Sequence, residues 1–215
     1  MLTLWGRTDS FNVQKVRWLL EELALPHETV PAGGAFGRLD EPAFRALNPH
    51  GKVPVLVDGA RAVWESHAIL RYLAARYGGP AFWPADPAAR AAADGWMDWA
   101  QTALQPAFLD GVFWGHYRTP PADRDTAAVA RALARTADLF ARLDRALADR
   151  PFLLGEHLTL ADIPAGTALF RWFSIDIPRP DHRHVRRWYD RLQQRPAYRE
   201  AVMVPFDHME GQLPA

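Results

Sequence analysis

Strand-like apolar runs in this 215-residue chain stop before residue 65, and every later apolar pattern has a helical period. Between the two regimes lies GGPAFWPADP (Gly78 to Pro87), dense in residues that break regular structure. The chain is therefore expected to divide into a mixed strand–helix domain over 1–78, a linker over 79–87 and an all-helical domain over 88–215. In the first part, LTLW (Leu2 to Trp5) reads as a buried strand ended by Gly6. Val13, Val16, Leu20 and Leu23 recur at spacings of three and four, one face of a helix that Pro26 closes. HETV (His27 to Val30) is a second strand, and VPVLV (Val53 to Val57), DG and ARAV (Ala60 to Val63) form a hairpin. A helix opens near Glu65 with Ile69, Tyr72, Leu73 and Tyr77 inward. The order β-α-β-(short α)-β-β-α predicts a small mixed sheet covered by helices, an α+β domain.

In the second part, Trp96, Trp99, Ala103 and Phe108 mark one long helix, and Val129, Leu133, Thr136, Phe140, Leu143 and Leu147 the stripe of another. LTLADIPAGTALFRWF (Leu158 to Phe173), Val185 to Leu192 and a short stretch from Pro196 complete the set. Thr159 and Asp162 have the spacing of a capping box, with Asp162 also favoured by the positive end of the helix dipole. Both roles are structural.

Lysine plus arginine and aspartate plus glutamate balance at 25 each, so no net field draws the chain to nucleic acid or to an anionic membrane. The densest basic run, HRHVRR (His182 to Arg187), reads as a solvated helix face. Cysteine is absent, which excludes disulfides, thiolate metal sites and cysteine nucleophiles. No apolar run approaches a membrane span and no secretory signal is visible, so a cytoplasmic location is expected, with no metal.

Three stretches combine residues whose chemistry suits a ligand. In TDSFNVQKV, Ser10 stands just ahead of the first helix; it either caps that helix or offers its hydroxyl outward, with Asn12 and Thr8 beside it. No base and no GxSxG elbow accompany it, so it does not read as a nucleophile. A hydroxyl at a helix N-terminus does favour an incoming thiolate over a thiol. In NPHGKVPVL, a cis Val53–Pro54 bond would leave the backbone N–H and C=O of Val53 facing a peptide-like ligand. His50 and Lys52 stand just before it, Lys52 within reach of a carboxylate or simply solvated. In WESHAIL, Glu65 and Ser66 open a helix: either a capping pair, or an anion site at free N–H groups with a carboxylate for an ammonium group. An amino-acid head satisfies both halves of the second reading. Phe113, Trp114, His116 and Tyr117 in FLDGVFWGHYR offer aromatic walls with polar tips, or helix packing.

Taken together, SFNVQKV, NPHGKVPVL and ESHAILRYL, followed by the Pro/Gly linker and LTLADI, resemble the cytosolic glutathione transferases of serine-type bacterial, theta and phi classes over essentially the whole chain. The resemblance implies a thioredoxin-like domain, an all-helical domain and a homodimer. It implies glutathione as co-substrate, with Glu65 and Ser66 at its γ-glutamyl head, Val53 beside cis Pro54 at its cysteinyl backbone, and Lys52 with His50 at its glycyl carboxylate. Ser10 would donate to the sulfur, with Asn12 second and Thr8 third. The electrophile, small and hydrophobic, would lie where the helical domain faces Ser10. Two alternatives stand beside transfer: glutathione-dependent disulfide or peroxide reduction using Ser10 and Asn12, and a non-catalytic binding module.

Overall fold

A computed structural model describes residues 1–213. The chain forms two compact units: Met1–Trp83 together with Pro196–Val204, and Pro84–Arg195 together with the described residues from 205 onward. No described helix is long and apolar enough to cross a membrane, and no described group of His, Asp and Glu could hold a metal ion.

The first unit is built on four strands, β1 (Leu2–Trp5), β2 (His27–Val30), β3 (Val55–Asp58) and β4 (Arg61–Trp64), in the order β2-β1-β3-β4. β1 and β2 run parallel, joined through helix α1 (Phe11–Glu22), whereas β1–β3 and β3–β4 are antiparallel. This is the mixed sheet expected from one helical crossover followed by a hairpin. The hairpin differs in detail: β3 begins after Pro54, which has no N–H to give a ladder, and β4 is displaced by one residue so that Asp58 faces Arg61 across the turn. Strand alternation sorts the side chains. Trp5, Val55 and Ala62 pack with Ala32, Leu39 and α2 (Pro42–Leu47), whose Phe44 meets the Trp5 indole edge-on at 5.8 Å. Leu2, Leu4 and Leu56 are buried on the opposite face. Helix α3 (Ser66–Tyr77) packs on β3, β4 and α1 with Ile69 and Leu73 inward. Tyr72 and Tyr77, expected in that stripe, stand at its flank and donate their hydroxyls to Asp58 at 2.7 and 2.6 Å. The short α4 (Gly79–Phe82) follows within the stretch expected to be a linker.

The last helix, α9 (Pro196–Val202), belongs to this first unit although it comes from the end of the sequence. Trp18 of α1 stacks edge-on against Tyr198 at 4.8 Å, the Gln14 amide donates to the Val202 carbonyl, and Arg17 pairs with Glu200 at 3.6 Å. The whole Trp18 ring is buried, and its N–H is satisfied by Glu22 at 2.8 Å.

The second unit holds α5 (Pro87–Trp99), α6 (Thr126–Ala146), α7 (Asp162–Ser174) and α8 (Arg183–Gln193). Between α5 and α6 the chain does not continue as the expected α-helix. It widens into π-helical turns over Ala100–Leu104 and Pro106–Arg118. Such turns are uncommon and cluster at functional sites. α6 lies close against the second of them, since a Cβ on Gly111 would sit 2.6 Å from that of Ala132. Trp172 of α7 centres the core, 5.6 Å from Phe108 and 4.7 Å from Phe140. Asp162 is fully buried at the head of α7. It accepts from the Leu153 and Thr159 backbone N–H groups at 2.9 Å and from the Thr159 hydroxyl at 3.1 Å. The capping spacing read in LTLAD is thus realised from the acidic side, while the Thr159 hydroxyl accepts from Ala161.

Candidate functional site

The sheet register brings the three ligand-suited stretches to one place. Trp5 of β1 pairs with Val55 of β3, and Val55 pairs with Trp64 of β4. Immediately beyond this row of three, the chain gives the Gly6–Ser10 turn and α1, then the Val53–Pro54 bond, then Glu65 and α3. Stretches more than fifty residues apart in sequence therefore emerge at one end of one small sheet. The fit there is close. A Cβ on Gly6, whose φ is +152°, would lie 2.4 Å from a Val13 methyl and 3.4 Å from the Val53 Cβ. Only glycine tolerates both the conformation and the contact.

Both helices that begin at this sheet end start without a side-chain cap. Ser10 occupies the N-cap position of α1 in extended geometry (φ −73°, ψ 123°), yet its hydroxyl makes no bond to its own helix. Glu65 is the N-cap of α3 and likewise makes none. Three later helices are capped by carboxylates, whereas α2, with Glu41 at its N-cap, is not. Asp86 accepts from Ala88 and Ala89 at the head of α5, Asp125 from Ala128 at α6, and Asp144 from His184 and Val185 at α8. A free helix N-terminus is a site for negative charge. At α1 and α3 the capping residues are present and the side-chain caps are unmade.

The backbone at Glu65 is also unusual. Its φ of +69° is a left-handed conformation, one of three such non-glycine residues described. A residue of this shape costs on the order of 1–3 kcal/mol and persists where the surroundings or a function require it. Glu65 is exposed, while Ser66 next to it is only 2 % exposed. Ser10 is 8 % exposed. Asn12, two residues into α1, keeps a buried Oδ1 with no hydrogen-bond partner; Thr8 is exposed in the turn before the helix.

Val53–Pro54 is cis, as the sequence suggested. The Val53 backbone N–H and C=O have no backbone partner among the described residues. Before it, the loop 48–52 is organised by one residue that the sequence reading passed over. Asn48 is buried. Its Nδ2 donates to the Lys52 carbonyl at 2.8 Å, and its Oδ1 accepts from the His50 N–H at 3.0 Å. The Lys52 and His50 side chains are thereby left exposed, and the His50 ring rests edge-on against Trp64 at 4.9 Å. An asparagine ahead of a proline signals a turn, and that much was available in NPHGK. Its two-sided grip on the loop required the fold.

In the second unit Phe113, Trp114, His116 and Tyr117 all lie on the π-helical segment. Phe113 is 1 % exposed, stacked on Tyr117 at 5.2 Å and edge-on to Phe206 at 5.5 Å, with the Arg171 guanidinium 4.5 Å above its ring. It is a packing residue of an aromatic cluster. Trp114, His116 and Tyr117 are half-buried, Trp114 beneath the Arg118 guanidinium at 4.4 Å. Burial pushes the Tyr117 hydroxyl above its usual range, with the Glu210 and Asp207 charges adding to it, so Tyr117 remains a neutral phenol.

Comparison with known proteins bears on the whole chain. The family model described as the glutathione S-transferase N-terminal domain matches residues 4–81, and the glutathione S-transferase C-terminal domain matches residues 126–191. Glutathione S-transferase GstB of Escherichia coli (strain K12) is 43 % identical over 210 residues, covering 95 % of this chain and 99 % of its own. Glutathione S-transferase 3 of Zea mays is 34 % identical, covering 94 % and 93 %. A crystal structure of the theta class glutathione S-transferase from the citrus canker pathogen Xanthomonas axonopodis pv. citri, with glutathione bound, superposes with a TM-score of 0.89 at 48 % identity, covering 95 % of this chain and 98 % of that one. With both family domains in order and relatives of this identity matching end to end, the chain belongs to the glutathione S-transferase family.

Proposed function

We propose that this protein binds glutathione along the sheet end of its first unit and activates the thiol as a thiolate for attack on a small hydrophobic electrophile. The observation that carries the reading is the pair of uncapped helix starts, at Ser10 and at Glu65–Ser66, flanking the cis Val53–Pro54 bond. Glutathione has an amino-acid head, a peptide middle and a second carboxylate. The head suits the N-terminus of α3, its carboxylate meeting the Ser66 hydroxyl and the first N–H groups, its ammonium meeting Glu65. The middle suits the backbone of Val53 as an added strand segment does. The far carboxylate suits Lys52 and His50. The sulfur then falls to Ser10, with the Asn12 amide beside it, where the helix dipole and a donated hydrogen bond both favour S⁻. Catalysis is by thiolate stabilisation and proximity. The half-buried Trp114, His116 and Tyr117 of the π-helical segment are the residues assigned to the electrophile, in a setting where shape discriminates weakly between small apolar groups.

Titration calorimetry with glutathione tests the binding half. A saturable heat is expected, and Glu65→Gln is expected to weaken affinity about tenfold by removing the ammonium's charged partner. Absence of any heat with the wild-type protein would overturn the reading in favour of a non-catalytic module. Parallel assays with a model aryl halide and with a small disulfide test the chemistry. Turnover of the aryl halide supports transfer; turnover of the disulfide alone assigns the site to reduction. The same reading pairs the chain with a second copy, so an elution mass near twice 24.2 kDa is expected in size-exclusion chromatography with light scattering.

A further inference from the structure

The two uncapped helices are tied together by a buried polar pair that the proposed chemistry does not use. Lys15, one turn into α1 and five residues after Ser10, is only 1 % exposed. Its Nζ lies 3.4 Å from Nε2 of His67, the residue after Ser66 in the first turn of α3, and 5.0 Å from the centre of the Phe11 ring. His67 is itself buried, and its Nδ1 has no hydrogen-bond partner.

A lysine in such a place is costly. Burial pushes its ammonium down to about 7, with the Glu65 carboxylate the opposing charge that favours the protonated form. Burial, reinforced by the charges of Lys15 and Arg71, holds His67 neutral, down to about 2. A neutral His67 accepts from Lys15 at Nε2 only with its proton on Nδ1, and that N–H is then left unsatisfied. Removing buried polar pairs of this kind in favour of apolar residues is commonly neutral or stabilising. Helix packing alone therefore gives no reason to keep them. Glu65 gives one, because it stands two residues before His67 and exerts its charge on Lys15.

We propose that Lys15 and His67 are positioning residues for the glutathione head: a strut between the second turn of α1 and the first turn of α3 that sets the separation of the Ser10 and Glu65–Ser66 ends of the site. The inference rests on the proposed glutathione site. Neither residue touches the ligand; each acts through the helix start it anchors. The tripeptide must reach both ends at once, so slack between them falls on binding. Chemistry at the sulfur, once bound, depends on Ser10.

The test is Lys15→Met and His67→Leu, compared by thermal unfolding, by affinity for S-methylglutathione, and by KM and kcat for glutathione with an aryl halide. Expected are an unchanged or higher melting temperature, a KM and a dissociation constant raised about 3- to 10-fold, and kcat within about twofold of wild type. The double variant should be no worse than either single one, because the strut is lost once. His67→Gln, which keeps an acceptor for Lys15, should restore most of the affinity. A lower melting temperature with KM unchanged would make the pair merely structural and overturn the inference, as would additive losses in the double variant. If wild type binds S-methylglutathione and the variants bind it equally, this inference alone fails. If wild type does not bind it, the site reading fails and takes this inference with it.

Discussion

Asp162→Ala is expected to destabilise the protein by about 3 kcal/mol, since three donors that now converge on the carboxylate would lose their acceptor at roughly 1–3 kcal/mol each, part of it recovered by not burying a charge. The donors are the Leu153 and Thr159 N–H groups and the Thr159 hydroxyl, and the site is fully buried, so water cannot replace the carboxylate without opening the head of α7. For a chain of this length the loss corresponds to a fall in melting temperature of roughly 6–12 °C, read by circular dichroism. The pH dependence follows from burial, which pushes the Asp162 carboxyl up to about 6 against the pull of those donors. The folded form thus holds its proton more tightly than the unfolded form, whose carboxyl titrates near its usual value of about 4. Between about pH 4 and 6 the folded state binds more protons, so this group's contribution to stability falls as pH rises through that window and is level above it. Asp162→Ala lacks that slope, and the gap between it and wild type should be wider near pH 5 than near pH 7. A melting temperature within about 2 °C of wild type would show that the Asp162 cluster does not hold the second unit together.

The Leu153 donor of that cluster was not legible in LTLAD, but the Thr159–Asp162 part was, because capping is local chemistry at fixed spacing. The same is true of most of the first unit: β-branched runs, DG and the Leu20–Leu23 stripe name the strands and α1, and the register that gathers Ser10, Val53 and Glu65 follows once VPVLV pairs between β1 and β4. What was not legible depends on partners remote in sequence. The π-helical turns over Pro106–Arg118 keep an apolar stripe that an α-helix would also show, and the difference lies in the backbone bonding, which that stripe does not encode. α9 reads as a short helix of the second half, and its contacts with α1, Tyr198 on Trp18 among them, tell that it belongs with the first. Lys15 and His67 carry no signal of their own in the sequence; their meeting inside the protein needs both helices in place. Phe113, for which the sequence allows a pocket wall or helix packing, is enclosed by Tyr117, Phe206 and Arg171, whereas its neighbours stay half-buried.

Ser10→Ala is expected to leave glutathione binding within about twofold while lowering turnover roughly 5- to 15-fold near pH 6.5, where thiolate supply limits the rate. A free thiol titrates near 8.5, and about two units of depression correspond to about 2.7 kcal/mol of thiolate stabilisation. In the proposed site that stabilisation would come from two sources, the N-terminus of α1 and the Ser10 hydroxyl, which is not spent on its own helix. Alanine removes the second and leaves the first, so the bound thiol should titrate roughly 1–1.5 units higher, as read by thiolate absorbance on forming the binary complex. The deficit must then shrink as pH rises, nearly vanishing at about pH 9, where the thiol ionises unaided. Asn12→Ala, which removes the amide whose Oδ1 is buried without a partner, should cost less, because an amide is a weaker donor to sulfur than a hydroxyl at the helix start. Thr8→Ala, in the exposed turn, should cost least. A Ser10→Ala enzyme with an unchanged thiol titration and wild-type turnover at pH 6.5 would remove Ser10 from the chemistry, and a pH-independent deficit would mean that the hydroxyl positions the sulfur without ionising it.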